Sequence, residues 1–533
     1  MKILQPLLFA AIVSLFITSC SSTVAPFIST NPQTIDKTLV KTTPIKEEDL
    51  KRWSHLDLAK DTIPGMSVDK AYAELLRGKK AVKVIVGVID SGIDIDHEDM
   101  IGKIWNNKKE IPNNKKDDDN NGYVDDINGW NFLGDSENEN LELTRIVKKG
   151  ETNNPDYKAA KAELDDKLGL MNQTKPQVDM IAKADKDIRE YLKKEIYTAD
   201  DIKAITTTDS GLSQSKMIMS SVAMQAGPNF QTDIKEFITQ VYDMLNYNLN
   251  TSFDGRAIVG DNPNDFSDKK YGNGNVKGPD VEGGLHGTHV AGIIAQNRGN
   301  NKGGDGVVAS NVEIMALRAV PNGDEYDKDI ALAIRYAVDN GAKVINGSFG
   351  KDYSPNKEWV FDAIKYAASK DVLFVHAAGN DSKNIDIAPS FPNDSKDKVT
   401  EISDNVLTIG ALGPNAGAKL VAPFSNYGKV NVDVFAPGVQ IYATVPNNKY
   451  RYLEGTSMAG PNVAGVAALI RSYYPNLTAS QVKHIIMDSG ISIPSNVTVG
   501  EERKSIPFAE TCLSAKIVNA YNALLMAEKM SKK

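Results

Sequence analysis

Apolar residues along this chain fall into two patterns that seldom mix. The first is a short unbroken run, as in Val84-Ile85-Val86-Gly87-Val88-Ile89 and Val372-Leu373-Phe374-Val375. Such runs lack both the alternation of a half-exposed strand and the period of an amphipathic helix, and they read as strands buried on both faces. Further runs of this kind, at 312–316, 344–345, 406–409 and 432–435, alternate with helical patterns at 329–340 and 357–370. Strand and helix in alternation predict an α/β fold, a mainly parallel sheet flanked by helices on both faces. Surface helices are expected over 479–489 and 517–529, after which no further binding or sorting domain is apparent.

The second pattern is amphipathic. A helix over 65–76, with Ser67 as its candidate N-cap, is expected to open the folded body. Charged faces with apolar residues at helical spacing then recur at 157–168, 178–195, 198–205 and 230–249, with Pro155, Pro176 and Pro228 marking breaks. The chain therefore divides into a leader at 1–19, a Ser/Thr/Pro/Lys-rich tether at 20–50, a first α/β part at 51–134, a mainly helical insertion at 135–264 and a second α/β part at 265–533. The insertion is either a peripheral decoration or a lid that selects substrates at a cleft.

Candidate chemistry sits where the buried runs end. Asp90 closes the first run in Asp90-Ser91-Gly92. His286 opens a helix of small and apolar residues in His286-Gly287-Thr288-His289, and Ser457 opens another in Gly455-Thr456-Ser457-Met458-Ala459. A hydroxyl becomes a nucleophile at neutral pH when an imidazole takes its proton and a carboxylate orients that imidazole. The run 372–375 leads into Ala377-Ala378-Gly379-Asn380, where the Asn380 amide can donate to a developing oxyanion. Singly, each island reads as a turn or loop. The two histidines of HGTH are three apart and lack the HExxH helper, so zinc is not expected, and His289 reads as a packed helix residue. His376 either tunes the site or is a satisfied structural histidine; His55, His97 and His484 read as structural.

Together, DSGID, HGTHVAG, AAGN and GTSMAG, in that order, resemble the motifs of the subtilisin-like serine peptidases, the subtilase family. FSNYG at 424–428 and VDVFAPG at 432–438 add to the likeness. The resemblance implies Asp90 as orienting carboxylate, His286 as general base and acid, Asn380 as oxyanion donor and Ser457 as nucleophile. It also implies a cleft that holds an extended protein or peptide substrate by strand addition at Ser348, Phe349 and Gly350, opposite Ala378 and Gly379. Gly460 stands where the family usually has Ala. No cofactor is required for that chemistry. The alternative is a catalytically silent or masked peptide-binding protein of the same fold; an esterase of the α/β-hydrolase type is disfavoured because Ser457 lacks the G-x-S-x-G elbow.

Composition narrows the partners. A formal net charge of −8 supplies no basic footprint for nucleic acid. Two cysteines, Cys20 and Cys512, offer no disulfide framework. Lys2 followed by the apolar stretch 3–17 reads as a secretion leader, and Ile17-Thr18-Ser19-Cys20 resembles a bacterial lipobox. Lipidation of Cys20 would tether the protein to a membrane in the cell envelope, outside the cytoplasm; the alternative is an ordinary leader with a chance cysteine. Asp117, Asp119, Asn121 and Asp125 alternate around a Gly122 turn, a spacing that suits structural calcium, although position twelve is Asn128 and no EF-hand helices flank it. The competing reading is a solvated acidic turn.

Overall fold

The computed structural model describes residues 40–532 apart from 42 and 389. The leader 1–19 and Cys20 lie outside the described residues, as does most of the tether. Thirteen strands are formed among the described residues: β1 (Val84–Asp90), β2 (Gly129–Asn131), β3 (Val312–Arg318), β4 (Val344–Gly347), β5 (Leu373–Ala377), β6 (Val406–Leu412), β7 (Val434–Pro437), β8 (Ile441–Val445), β9 (Lys449–Leu453), β10 (Ile491–Ser492), β11 (Asn496–Val499), β12 (Lys504–Pro507) and β13 (Lys516–Ile517). Nine of them form one sheet in the order β10-β13-β7-β6-β5-β4-β1-β3-β2. Its neighbours pair in parallel except β10 with β13 at the edge.

The unbroken apolar runs are explained by what covers them. Met315, Leu317, Ile345 and Phe374 enter one core with Ile334 and Ala337 of the helix Asp327–Asp339 and Ile364 of the helix Lys357–Ser369. The helices Leu285–Ala295 and Thr456–Tyr473 also pack on the sheet, the second against the middle strands β4, β5 and β6. Every residue of β4, β5 and β6 is buried. The fold is the expected α/β one, with a mainly parallel sheet between helices.

Between 135 and 264 all the regular elements are helical, and three departures from the expected elements are found there and nearby. Pro176 does not break the chain: one helix runs from Tyr157 to Leu192 with the proline inside it. The missing N–H and ring clash cost about 3 kcal/mol, yet Ile181, Ala184 and Ile188 just beyond are buried in a cluster with Ile202, Met219, Phe230 and Ile234. Burial of that face outweighs the proline. A helix that the apolar spacing did not announce, Ser210–Ala226, supplies Met219 to this cluster; Asp209 caps it by accepting from the Leu212 amide at 2.7 Å. Finally, Ser67 is not a hydrogen-bonding cap. It has φ 57° and its side chain makes no cap bond, because Ser67 Oγ accepts from Asn519 Nδ2 at 2.8 Å, and the helix is a short Val68–Ala71 turn continuing into a π turn.

Buried charge fastens the helical segment to the sheet region, beside the apolar contacts of Val259 with the sheet core and of Tyr353 with the Leu143–Leu164 cluster. Arg256 reaches Asp261 at 2.5 Å and Asp329 at 2.6 Å, with all three side chains at most 5% exposed. Lys328, fully buried, sits 2.6 Å from Asp261. Lys351, immediately after Gly350, pairs with Glu142 at 3.0 Å and with Asp327 at 2.9 Å. Burial would raise the Glu142 carboxyl, but Arg145 and Lys351 outweigh it and hold it down at about 2.

Candidate functional site

Three adjacent strands, β5, β4 and β1, deliver the site at their C-terminal ends, as expected for an open parallel sheet. Asp90 is the last residue of β1, Ser348 follows β4, and Asn380 lies three residues past β5. His286 and Ser457 are each the second residue of a helix packed across the sheet. Strand ends and helix starts thus place four side chains that are far apart in sequence.

Asp90 is 1% exposed. Its Oδ1 accepts from His286 Nδ1 at 2.8 Å and from the Ser91 amide at 2.7 Å. A carboxylate only accepts, so Nδ1 carries the proton and the lone pair is left on Nε2, the atom a general base must present. Partial loss of solvent by itself would lower the imidazole pKa, but the charge and hydrogen bond of Asp90 outweigh it and leave His286 above the usual 6.5. Close approach of the two depends on Gly287: a Cβ there would meet the Gly92 carbonyl at 2.2 Å and Asp90 Cβ at 3.0 Å.

Ser457 Oγ donates to the Ser348 carbonyl at 3.3 Å, with no hydrogen bond to His286 among the described residues. Catalytic contacts commonly tighten only when substrate is bound. The turn itself is held by a second bond. Pro461 has no N–H, so the Ser457 carbonyl four residues earlier lacks its helical partner, and Ser348 Oγ donates to it at 3.0 Å. The substrate-edge segment and the nucleophile are therefore fixed to each other.

Asn380 is oriented by Thr456. Its Oδ1 accepts from the Thr456 amide at 2.8 Å and from Thr456 Oγ1 at 2.9 Å, which directs the NH2 group outward as a donor. Asn426 of the FSNYG run braces the same loop: its Nδ2 donates to the Ala378 carbonyl at 2.8 Å, and its Oδ1 accepts from the amides of Asp381 and Lys383 at 3.1 and 2.8 Å. Gly379, at φ 102°, is needed because a Cβ would lie 2.4 Å from Asn426 Nδ2. Thr456 and Asn426 carry no reacting group, so sequence reasoning passed over their positioning roles; their only signal was membership of the GTSMAG and FSNYG runs.

The remaining expected residues separate. Phe349, Gly350 and Gly379 line the cavity that holds Ser457 and Asn380, whereas Ala378 lines a neighbouring one. His376 is buried and donates from Nε2 to the Phe349 carbonyl at 2.8 Å; burial pushes it down to about 4, so it braces the substrate edge as a neutral ring. His289 is likewise buried, bonded to the Ile441 carbonyl at 3.0 Å and lowered by burial to about 3.

In the acidic loop the structure brings Asp117 and Asp119 together with Glu110, their ligand oxygens within 4.8 Å of one another. Glu110 is 6% exposed and its Oε2 has no protein partner, which leaves one buried oxygen for a hard cation. Asn121 and Asp125 are committed elsewhere. Asn121 Nδ2 donates to Asp126 and its Oδ1 accepts from the Tyr123 amide, while the Asp125 carboxylate accepts from the amides of Asn114 and Lys115. The alternating spacing found two of the three carboxylates; Glu110, seven residues earlier, reaches them only through folding.

Comparison with known proteins agrees with this geometry. The profile of the subtilase family matches residues 81–505. The thermophilic serine proteinase of Bacillus sp. (strain AK1) is 40% identical over 220 residues, covering 41% of this chain and 48% of that protein. Subtilisin DY of Bacillus licheniformis is 36% identical over 224 residues, 42% of this chain and 76% of the relative. Subtilisin-like protease 2 of Plasmodium falciparum is 35% identical over 228 residues, 41% of this chain and 16% of the relative. The chain thus spans about half the length of the Bacillus AK1 relative, and less of the Plasmodium one. With a match from the strand before Asp90 to beyond Ser457, the chain belongs to the subtilase family.

Proposed function

We propose that this protein is a serine endopeptidase acting on proteins or peptides through an acyl-enzyme intermediate. The observation that carries the reading is the Asp90–His286 pair at 2.8 Å, together with a cavity shared by Ser457 and an Asn380 amide whose oxygen is already engaged. In this reading a turn of the Ser457 side chain from the Ser348 carbonyl brings Oγ to His286 Nε2, which takes its proton as Oγ attacks the substrate carbonyl. Asn380 Nδ2 donates to the oxygen as it gains charge. His286 then protonates the leaving amine, and a water, deprotonated in turn by His286, releases the acyl group. A fluorophosphonate probe with peptide mapping tests this: wild type is labelled at Ser457, and Ser457→Ala neither labels nor hydrolyses casein. Equal hydrolysis by the two would refute it.

The same proposal extends to two features. Glu110, Asp117 and Asp119 would hold a structural calcium ion that takes no part in the chemistry; adding a chelator should lower the melting temperature relative to added calcium, and an unchanged midpoint would remove the site. Cys20 would carry lipid and place the enzyme in the cell envelope. Incorporation of labelled fatty acid in wild type but not in Cys20→Ala checks this, and equal incorporation refutes it.

A further inference from the structure

The cavity that holds Ser457 and Asn380 has a wall from the helical segment. It measures about 310 Å³, is bounded by Phe349 and Gly350 on one side, and includes Glu163 and Lys167 of the helix Tyr157–Leu192. At the lower end of ligand-pocket sizes, ~300–1,000 Å³, it suits one side chain of a bound peptide better than a large group.

Glu163 is the held member of that wall. Tyr353, three residues past the substrate-edge Gly350, donates from Oη to Glu163 Oε2 at 3.1 Å. Burial and then Glu163 itself push the tyrosine up to about 12, so the phenol stays a donor through the neutral range. The other partner is loose. Lys167 lies 3.4 Å away, one turn along the helix, with side chains 40% and 31% exposed. A solvated pair of this type is weak, so an incoming cation replaces it at little cost.

The remaining charges do not oppose a cation. Asp352 and Asp381 also line the cavity and share the one ammonium of Lys383, at 3.0 and 3.9 Å. Lys351 is 2% exposed and spent on Glu142 and Asp327. Asp324 is half-buried, its carboxyl raised by loss of solvent and lowered by Arg145 to a lesser degree. Glu163, Asp352 and Asp381 therefore face two available ammonium groups, Lys167 and Lys383.

We infer that Glu163 is a specificity-determining residue, contributed by the helical segment, that favours a lysine or arginine side chain on the acyl side of the scissile bond. The inference rests on the peptidase reading, because an extended peptide paired with Ser348–Gly350 sends that side chain into this cavity. The test is kcat/KM of the full chain on two fluorogenic peptides that differ only in Arg or Met before the scissile bond, for wild type, Glu163→Gln and Glu163→Lys. Wild type should prefer Arg; Glu163→Gln should lower the Arg:Met ratio about fivefold, the upper end for an exposed pair, and Glu163→Lys should lower it further. An unchanged ratio in both variants, whether the two rates hold or fall together, overturns the assignment. If wild type cleaves neither peptide and Ser457 resists the fluorophosphonate, the peptidase reading fails and takes this inference with it.

Discussion

The sheet region and the helical segment bury their surfaces in opposite ways. β4, β5 and β6 are covered on both faces by apolar helices, and the site assembles at the C-terminal ends of β5, β4 and the neighbouring β1. The segment 135–264 keeps two small apolar clusters of its own and meets the sheet region through Arg256, Lys328 and Lys351 with their carboxylates. Apolar packing is non-directional and tolerant, so it sets a scaffold. Buried ion pairs are directional and fail badly when one member is lost. The difference suggests that the sheet builds the catalytic centre while the charged seam sets how the helical wall stands beside it.

The largest effect should come from the centre itself. Ser457→Ala is expected to cost on the order of 10^6 in kcat, the scale on which triad members act as a unit, while leaving the charged seam and its melting transition untouched; a loss of less than a hundredfold would mean the cavity works without its nucleophile. Next, Arg256→Ala takes the guanidinium away from buried Asp329, while Asp261 keeps Lys328, and should destabilise by about 3–5 kcal/mol. Limited proteolysis would then cut first within 135–264, ahead of the sheet region; simultaneous cleavage throughout would show that the two regions melt as one.

Removing the oxyanion donor with Asn380→Ala should cost about 10²–10³ in kcat, or roughly 3–4 kcal/mol, with little change in KM. A rise in KM alone would assign Asn380 to ground-state binding. A pH profile separates the roles within the centre. His286 must be neutral to act, and Asp90 holds its pKa above 6.5, so activity should climb with pH along a limb centred above that value. In Asp90→Asn the desolvation that remains should carry the limb below 6.5, while kcat falls about 10⁴-fold through loss of the correct tautomer; a limb that does not move would detach Asp90 from the titrating group. The smallest effect concerns packing. A Cβ on Gly460 would meet Asn346 Oδ1 at 3.4 Å and Ser348 Oγ at 3.5 Å, ordinary contacts inside a helix. Gly460→Ala should stabilise the sheet region by about 0.5–1 kcal/mol, and a lowered melting temperature would show that this helix tolerates no further bulk.

Legibility in the sequence followed the same division. Asp90, His286, Asn380 and Ser457 could be picked out because chemistry demands those residue types next to strand ends and helix starts. Glu110 could not, since nothing local ties it to Asp117. Nor could the continuous helix through Pro176, whose local penalty is overridden by burial of Ile181 and Ile188 on neighbours up to about fifty residues away in the chain.

The sequence alone determined the α/β scaffold and marked the candidate reacting groups, because buried parallel strands need unbroken apolar runs and nucleophilic catalysis needs a hydroxyl, an imidazole and a carboxylate. The tertiary structure decided what stands around them: Thr456 and Asn426 orienting Asn380, Ser348 completing the helix turn that Pro461 leaves open, and Glu163 facing the cavity of Ser457. Those contacts join residues tens to hundreds of positions apart through distance and angle, quantities that composition and periodicity do not contain.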